Sequence, residues 1–262
     1  MTFDENDKLE RKTFAQNLTN ILVRDNHSDE SNSFVIALDS AWGTGKTCFL
    51  HMWKNLLKSQ SGQEDIPKLN VLYYNAWEND DWNNAFIPLV YRLRELDAFG
   101  QSEKDIETLK QKAIGFAKGC GKQLLKDGAK KLIGENFADY IIDAFTEGIE
   151  SASKTTPELF FENYETYLDE KKDFKDGLND LIPPDSGKLV IFIDELDRCR
   201  PTFAIDTLEI VKHLFNVEGL SVIFAVDIEQ LSYSVQTLYG VGMDASGAVH
   251  DAPPGLESGL DG

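Results

Sequence analysis

Residues 38–47 read LDSAWGTGKT, and Gly45, Lys46 and Thr47 at their end have the chemistry of a phosphate site. A nucleoside triphosphate concentrates several negative charges in a small volume. Gly43 and Gly45 let the backbone curl so that its N–H groups point inward at phosphate oxygens. A helix beginning at Lys46 would add its positive end. Lys46 would reach the β- and γ-phosphates, and the Thr47 hydroxyl would ligate Mg²⁺. Trp42 and Thr44 would supply loop backbone, with Trp42 also able to shield the phosphates or pack on the domain. The phosphate-loop pattern asks for glycine five residues before Gly45, where this chain has Ser40. If that position needed a positive φ, serine would cost about 1 kcal/mol.

A second chemical element lies downstream. In VIFIDE (190–195) four apolar residues lead into Asp194 and Glu195. At a strand end beside the phosphate loop, Asp194 would orient magnesium through its waters. Glu195 would polarise the attacking water as general base. The alternative is a strand capped by solvated acids, and the order of the two elements favours the catalytic reading. Asp227 ends a later apolar run, at the place of a γ-phosphate sensor or of a plain structural cap. An acid there needs Mg²⁺ or arginine nearby. Arg198 and Arg200 follow Glu195. Either could neutralise transition-state charge, or form a salt bridge with Asp197 or Asp206.

These side chains need elements to hold them. The chain has 262 residues, 42% hydrophobic and 27% charged, enough for one α/β domain or two small ones with a sizeable core. Helical spacing predicts a helix over 6–24. Short apolar runs predict strands at 34–38, 70–77, 188–197 and 220–227. Between them, helices are expected from Lys46 onward, over 85–96 with Pro88 in the first turn, and from Pro201. Residues 103–181 read as largely helical, with Phe160, Tyr164, Tyr167, Leu168, Phe174, Leu178 and Leu181 on a repeating face. Strands alternating with helices imply a parallel sheet with its active loops at the strand C-terminal ends. Residues 247–262, rich in Gly, Pro and Asp, read as disordered or foreign to the fold.

A net charge of −19 disfavours nucleic acid and anionic membrane as partners over most of the surface. The three cysteines, Cys48, Cys120 and Cys199, are far apart and suggest neither a disulfide framework nor a zinc site, so a cytoplasmic location fits best. No signal peptide or membrane span is evident. Lys118, Lys122, Lys126 and Lys130 form an i, i+4 ladder that could lie on an anionic membrane surface or a protein partner. A solvated helix face is the plainer reading. Cys48 stands at a helix start, where a thiol pKa can fall, but packing is the plainer reading. Trp77 and Trp82 could sit near the nucleotide loops, with core or loop packing the default.

Three stretches together, DSAWGTGKTCFL, YYNAWENDD and VIFIDELDRCRP with its continuation through VIFAVDIEQL, resemble the KAP family of P-loop NTPases. The NAWE and DELDRC segments are more specific than the GKT. The resemblance covers roughly residues 10–245. It implies a three-layer α/β sandwich of the additional-strand class. A helical insertion, about 100–182, lies between Walker A and Walker B in a domain spanning 1–246. It assigns nucleotide binding to Trp42, Gly43, Thr44, Gly45, Lys46 and Thr47, magnesium to Thr47 and Asp194, and catalysis to Glu195. Lys46 and Asp227 would assist catalysis. ATP and Mg²⁺ are the expected cofactors. Many family members carry transmembrane helices in the insertion, and none is recognisable here. Family chains also continue past the strand at 220–227, so the sequence reads as truncated after about Gly247. The expected function is a Mg²⁺-dependent ATPase that drives a conformational change. The alternative is a nucleotide-dependent switch or scaffold with little turnover. A protein partner or self-association is open under both.

Overall fold

The four apolar runs form one parallel sheet in the computed structural model: β1 (Phe34–Asp39), β2 (Leu69–Asn75), β3 (Lys188–Asp194) and β4 (Leu220–Val226). The residues described are 1–24, 33–63, 65–82, 84–99, 103–124, 157–182, 187–239, 242–243 and 249–250. The strand order is β1-β4-β3-β2. β4 therefore lies between β1, which leads into the glycine loop, and β3, which ends at Asp194. That is the additional strand expected from the sequence. β3 and β4 are buried along their whole length, whereas burial alternates along β1, consistent with its outer position.

The register matters for the site. Asn75 pairs with Asp194, Asp194 with Ala225, and Asp39 with Val226. All four strands thus end at one level, and the loops that follow them share one edge of the sheet.

Side chains alternate between the two faces of each strand. Val71, Val190, Phe192, Ile223 and Ala225 build one core with α2 (Lys12–Arg24) and α3 (Lys46–Gln60), through Leu18, Leu22, Leu50 and Trp53. Leu72, Tyr74, Ile191, Ile193, Val222 and Phe224 build the other. The second core includes α4 (Phe86–Arg92), α5 (Glu103–Leu124), α6 (Pro157–Asn179) and α7 (Pro201–Leu214). Helices cover both faces, giving the three-layer sandwich. A short α1 (Phe3–Asn6) precedes α2, and α8 (Ile228–Tyr239) follows β4.

α5 and α6 belong to the expected helical insertion and pack against each other. Gly177 marks their close approach, since a Cβ there would lie 2.9 Å from Lys112 Cδ and 3.0 Å from Leu109 Cδ1. Phe174 joins the insertion to the sheet layers. Its ring lies 5.1 Å from Phe86 on α4 and 6.1 Å from both Phe116 on α5 and Phe215 after α7. On the expected face of α6, Phe174 and Leu178 are buried, but Leu168 is exposed.

Several boundaries differ from the sequence reading. α2 begins at Lys12 and not near residue 6, because the Asp7 carboxylate accepts the Arg11 and Lys12 N–H groups and sets a new start. β2 stops at Asn75 and not at 77, because Asn75 Oδ1 accepts the N–H groups of Trp77 and Glu78 and turns the chain. The helix read over 85–96 is α only to Arg92, and Leu93–Phe99 is a tighter 3₁₀ helix. In the segment read as foreign, Val249–His250 (β6) pairs antiparallel with Gly242–Met243 (β5). Residues 251–262 lie outside the described residues, as do Lys126 and Lys130 of the lysine ladder. No helix among the described residues is long and apolar enough to cross a membrane.

Phe174→Ala should cost about 3–5 kcal/mol by leaving a cavity between the insertion and the sheet layers. Urea denaturation of the two proteins measures it. Asp206 on α7 gives a pH test. Burial first, then the nearby Glu209 charge, push its carboxyl up to about 7. The folded state therefore holds this proton more tightly than the unfolded chain does. The stability it contributes is full below the ordinary carboxylate range and is lost as pH rises through about 7. Asp206→Asn should raise the Tm at pH 8 and flatten its fall between pH 5 and 8.

Candidate functional site

The site forms where β1 and β3 end. After β1, the Ser40 N–H donates to Val226 O at 3.2 Å, extending the strand ladder by one residue. Among the described non-glycine residues, only Glu10 and Glu195 have positive φ. Ser40 thus stays in an ordinary conformation, and the glycine of the general pattern is not required there. Its hydroxyl lies 2.7 Å from the Thr44 hydroxyl, which donates to Ala41 O at 2.8 Å and ties the loop together. Gly43 and Gly45 do need to be glycine, with φ of 80° and 88°. At both, an added Cβ would meet nothing within 4 Å, so the constraint is conformational and not steric.

Gly45 sits directly before α3, so Lys46 and Thr47 open the helix where its N–H groups are unsatisfied. The Lys46 ammonium donates to Ser40 O and to Ala41 O, the latter at 3.2 Å. Its partners there are carbonyl oxygens and not a carboxylate.

β3 carries the acids to the same place. Asp194 is buried, with 1% of its surface exposed. Its Oδ1 accepts the Glu195 N–H at 3.0 Å, and its Oδ2 accepts the Tyr73 hydroxyl at 2.8 Å. Burial, then the neighbouring Asp194 charge, hold the Tyr73 hydroxyl well above its ordinary pKa, so it remains a donor. The Tyr73 ring lies 4.4 Å from that of His51 on α3. Glu195 has left-handed backbone, φ 60°, which costs a non-glycine residue about 1–3 kcal/mol and persists only where its surroundings over-determine it. Those surroundings are visible: Asn75 Nδ2 donates to Oε2 at 3.0 Å, and Arg198 Nη1 pairs with Oε1 at 2.8 Å.

A cleft of about 200 Å³ joins these groups. It is lined by residues 42–48 of the loop and α3, and by Asp194, Glu195, Asp197 and Arg198. Trp42, Gly43, Thr44, Gly45, Lys46 and Thr47 therefore share one cavity with the two acids. Thr47 and Asp194 offer hard oxygen donors across it. Mg²⁺ takes one or two protein oxygens and completes its shell with phosphate and water, so these residues fit such an ion. Cys48 is exposed and lines the cleft, contrary to the packing role expected of it.

Asp227 is not among the lining residues. It follows β4, where its Oδ1 accepts the Gln230 N–H at 3.2 Å, so it caps α8. Arg200 is anchored elsewhere. Its N and Nε donate to Asp80 at 3.0 Å each, and Nη2 donates to Trp82 O at 2.7 Å. It clamps the loop after β3 to the loop after β2. In the ion pairs seen, Arg198 meets Glu195 and Arg200 meets Asp80. Cys199 is buried, and burial above all pushes its thiol up to about 12. Sequence reasoning assigned no role to Tyr73 or Asn75. The available signal was a polar residue ending a largely apolar strand, but only the β2–β3 pairing, which sets Asn75 level with Asp194, brings it within reach of Glu195.

No curated protein matches the chain. The model of the KAP family P-loop domain matches residues 11–250, nearly all of it. A glycine loop and an acid-ended strand, with one further strand between them, are what such a domain requires, and the chain belongs to the KAP family of P-loop domains.

Proposed function

We propose that this protein is a Mg²⁺-dependent ATPase. The observation that carries the reading is the convergence of Lys46, Thr47, Asp194 and Glu195 on one cleft. The loop amides and the start of α3 would receive the phosphates, with Lys46 on the terminal ones. Thr47 and Asp194 would hold Mg²⁺, which would neutralise charge developing on the phosphates. Glu195 would take the proton from the attacking water, and Asn75 would aim its carboxylate. ATP is preferred over GTP because the guanine-reading Asn-Lys-x-Asp pattern is absent from the sequence. Asp227 would act at a distance at most, through α8 or the end of β4.

One observation favours a second reading, a nucleotide-dependent switch with little turnover. Both oxygens of Glu195 are already engaged, by Asn75 and Arg198. A carboxylate engaged at both oxygens is well oriented but leaves less room beside it for an attacking water. Hydrolysis measured beside binding separates the two readings. Purified protein that binds ATP tightly and releases no phosphate would be a switch.

Lys46→Ala should weaken ATP binding by roughly 10–100-fold, the loss of one charge-assisted contact. Calorimetric titration with ATP and Mg²⁺ measures it. Glu195→Gln should keep ATP affinity while phosphate release falls roughly 10²–10⁴-fold. Wild-type turnover by Glu195→Gln would remove Glu195 from the role of base.

A further inference from the structure

Arg198 lines the phosphate cleft, yet the proposed hydrolysis gives it no task. Its position is unusual in three ways. Its guanidinium pairs with Glu195 Oε1 at 2.8 Å, taking one face of the proposed base. Its centre lies 5.6 Å from the Trp42 ring and 5.9 Å from the Trp77 ring. Trp42 belongs to the phosphate loop and Trp77 to the turn after β2. One cation therefore links the phosphate loop, the acid loop and the NAWE turn. Both tryptophans are open to solvent, with 73% and 54% of their surface exposed. They flank the guanidinium without burying it.

We propose that Arg198 is a latch that reads the terminal phosphate: it holds Glu195, and exchanges that carboxylate for the terminal phosphate when a triphosphate enters the cleft. This rests on the nucleotide-site reading above. The chemistry favours the exchange. Glu195 offers the guanidinium one negative charge, whereas a terminal phosphate offers nearly two on three acceptor oxygens. The planar fork of arginine fits either anion. The arginine side chain is 36% exposed and that of Glu195 15%, so the guanidinium has room to turn while the carboxylate stays in place. Release frees Glu195 Oε1 to accept a proton from water, while Asn75 keeps Oε2 in place. The base is thereby unlocked only when a bond to hydrolyse is present. A diphosphate has no third phosphate, and its own terminal group, one position deeper in the loop, leaves the latch closed.

Tryptophan emission reads the latch directly, because the guanidinium leaves the faces of Trp42 and Trp77 when it moves. The full chain with Mg²⁺ is saturated in turn with a non-hydrolysable ATP analogue and with ADP, and calorimetry verifies that both bind. Wild-type emission should differ between the two complexes. In Arg198→Met, which keeps length and removes charge, that difference should vanish. Analogue affinity should fall roughly tenfold in the variant, with ADP affinity within about twofold of wild type. If both nucleotides bind the wild type and give the same emission, the latch is wrong and the nucleotide site stands. Persistence of the difference in Arg198→Met also overturns the latch. Failure of the wild type to bind either nucleotide overturns the nucleotide-site reading, and the latch with it.

Discussion

The in-register end of the parallel sheet is the constraint on which the site depends. Parallel strands run the same way, so their C-terminal ends meet at one edge. The register brings Asn75 level with Asp194, and Asp39 level with Val226. A shift of one residue in β2 would turn Asn75 to the other face and remove the donor from Glu195. It would also swap the two faces of β2, sending Leu72 and Tyr74 to the side of α2 and α3 and Val71 and Tyr73 to the other, each among helices that pack the opposite set. The packing that stabilises the fold therefore also fixes the site. The acids cannot drift relative to the phosphate loop without disrupting the packing on both sides of the sheet.

Within that frame, polar contacts make the finer adjustments. Asp194 is almost fully buried, and a buried carboxylate is costly unless it accepts hydrogen bonds. The Tyr73 hydroxyl and the Glu195 N–H supply two. Accepting the Glu195 N–H also bends the chain sharply as β3 ends, where Glu195 takes a left-handed conformation. The bend lets the next side chain share the cleft with Asp194 rather than point to the opposite face, as the next residue of a strand would. One hydrogen bond thus places two carboxylates on one cavity.

Much of this was legible in the sequence, and the remainder shows where reading stops. Four apolar runs, a GKT before a helix and an acid pair after VIFI each depend on local order, and each gave an element near its expected place. The sequence could place Ser40 under suspicion but could not clear it, because the ladder contact that keeps it extended comes from Val226, far along the chain. Arg198 and Arg200 look alike in DRCR. Only the fold separates them, sending one to Glu195 in the cleft and the other to Asp80 on the neighbouring loop. The end of β2 was misread because Asn75 is a turn-former whose effect depends on its side chain folding back onto the next residues. Of the two readings open for Trp77, the fold favours a place beside the nucleotide loop: it is an exposed ring whose neighbour is a cation from another loop.

The two cations of the cleft differ in a way that divides their labour. The chain as a whole is strongly acidic, so a polyanion approaching it meets an unfavourable field. That field is screened beyond about 8 Å at physiological ionic strength, and attraction inside the cleft decides binding. Lys46 is held by two carbonyl oxygens, which orient the ammonium without cancelling its charge. In the proposed site its full positive charge would face any phosphate, whatever the number of phosphates. Arg198 is held by a carboxylate, so its charge is compensated, and in the proposed latch a stronger anion would displace that partner. A constant charge suits capture, and a compensated one suits discrimination. Exchanging the partners of these two residues would give a cleft that binds weakly and discriminates nothing.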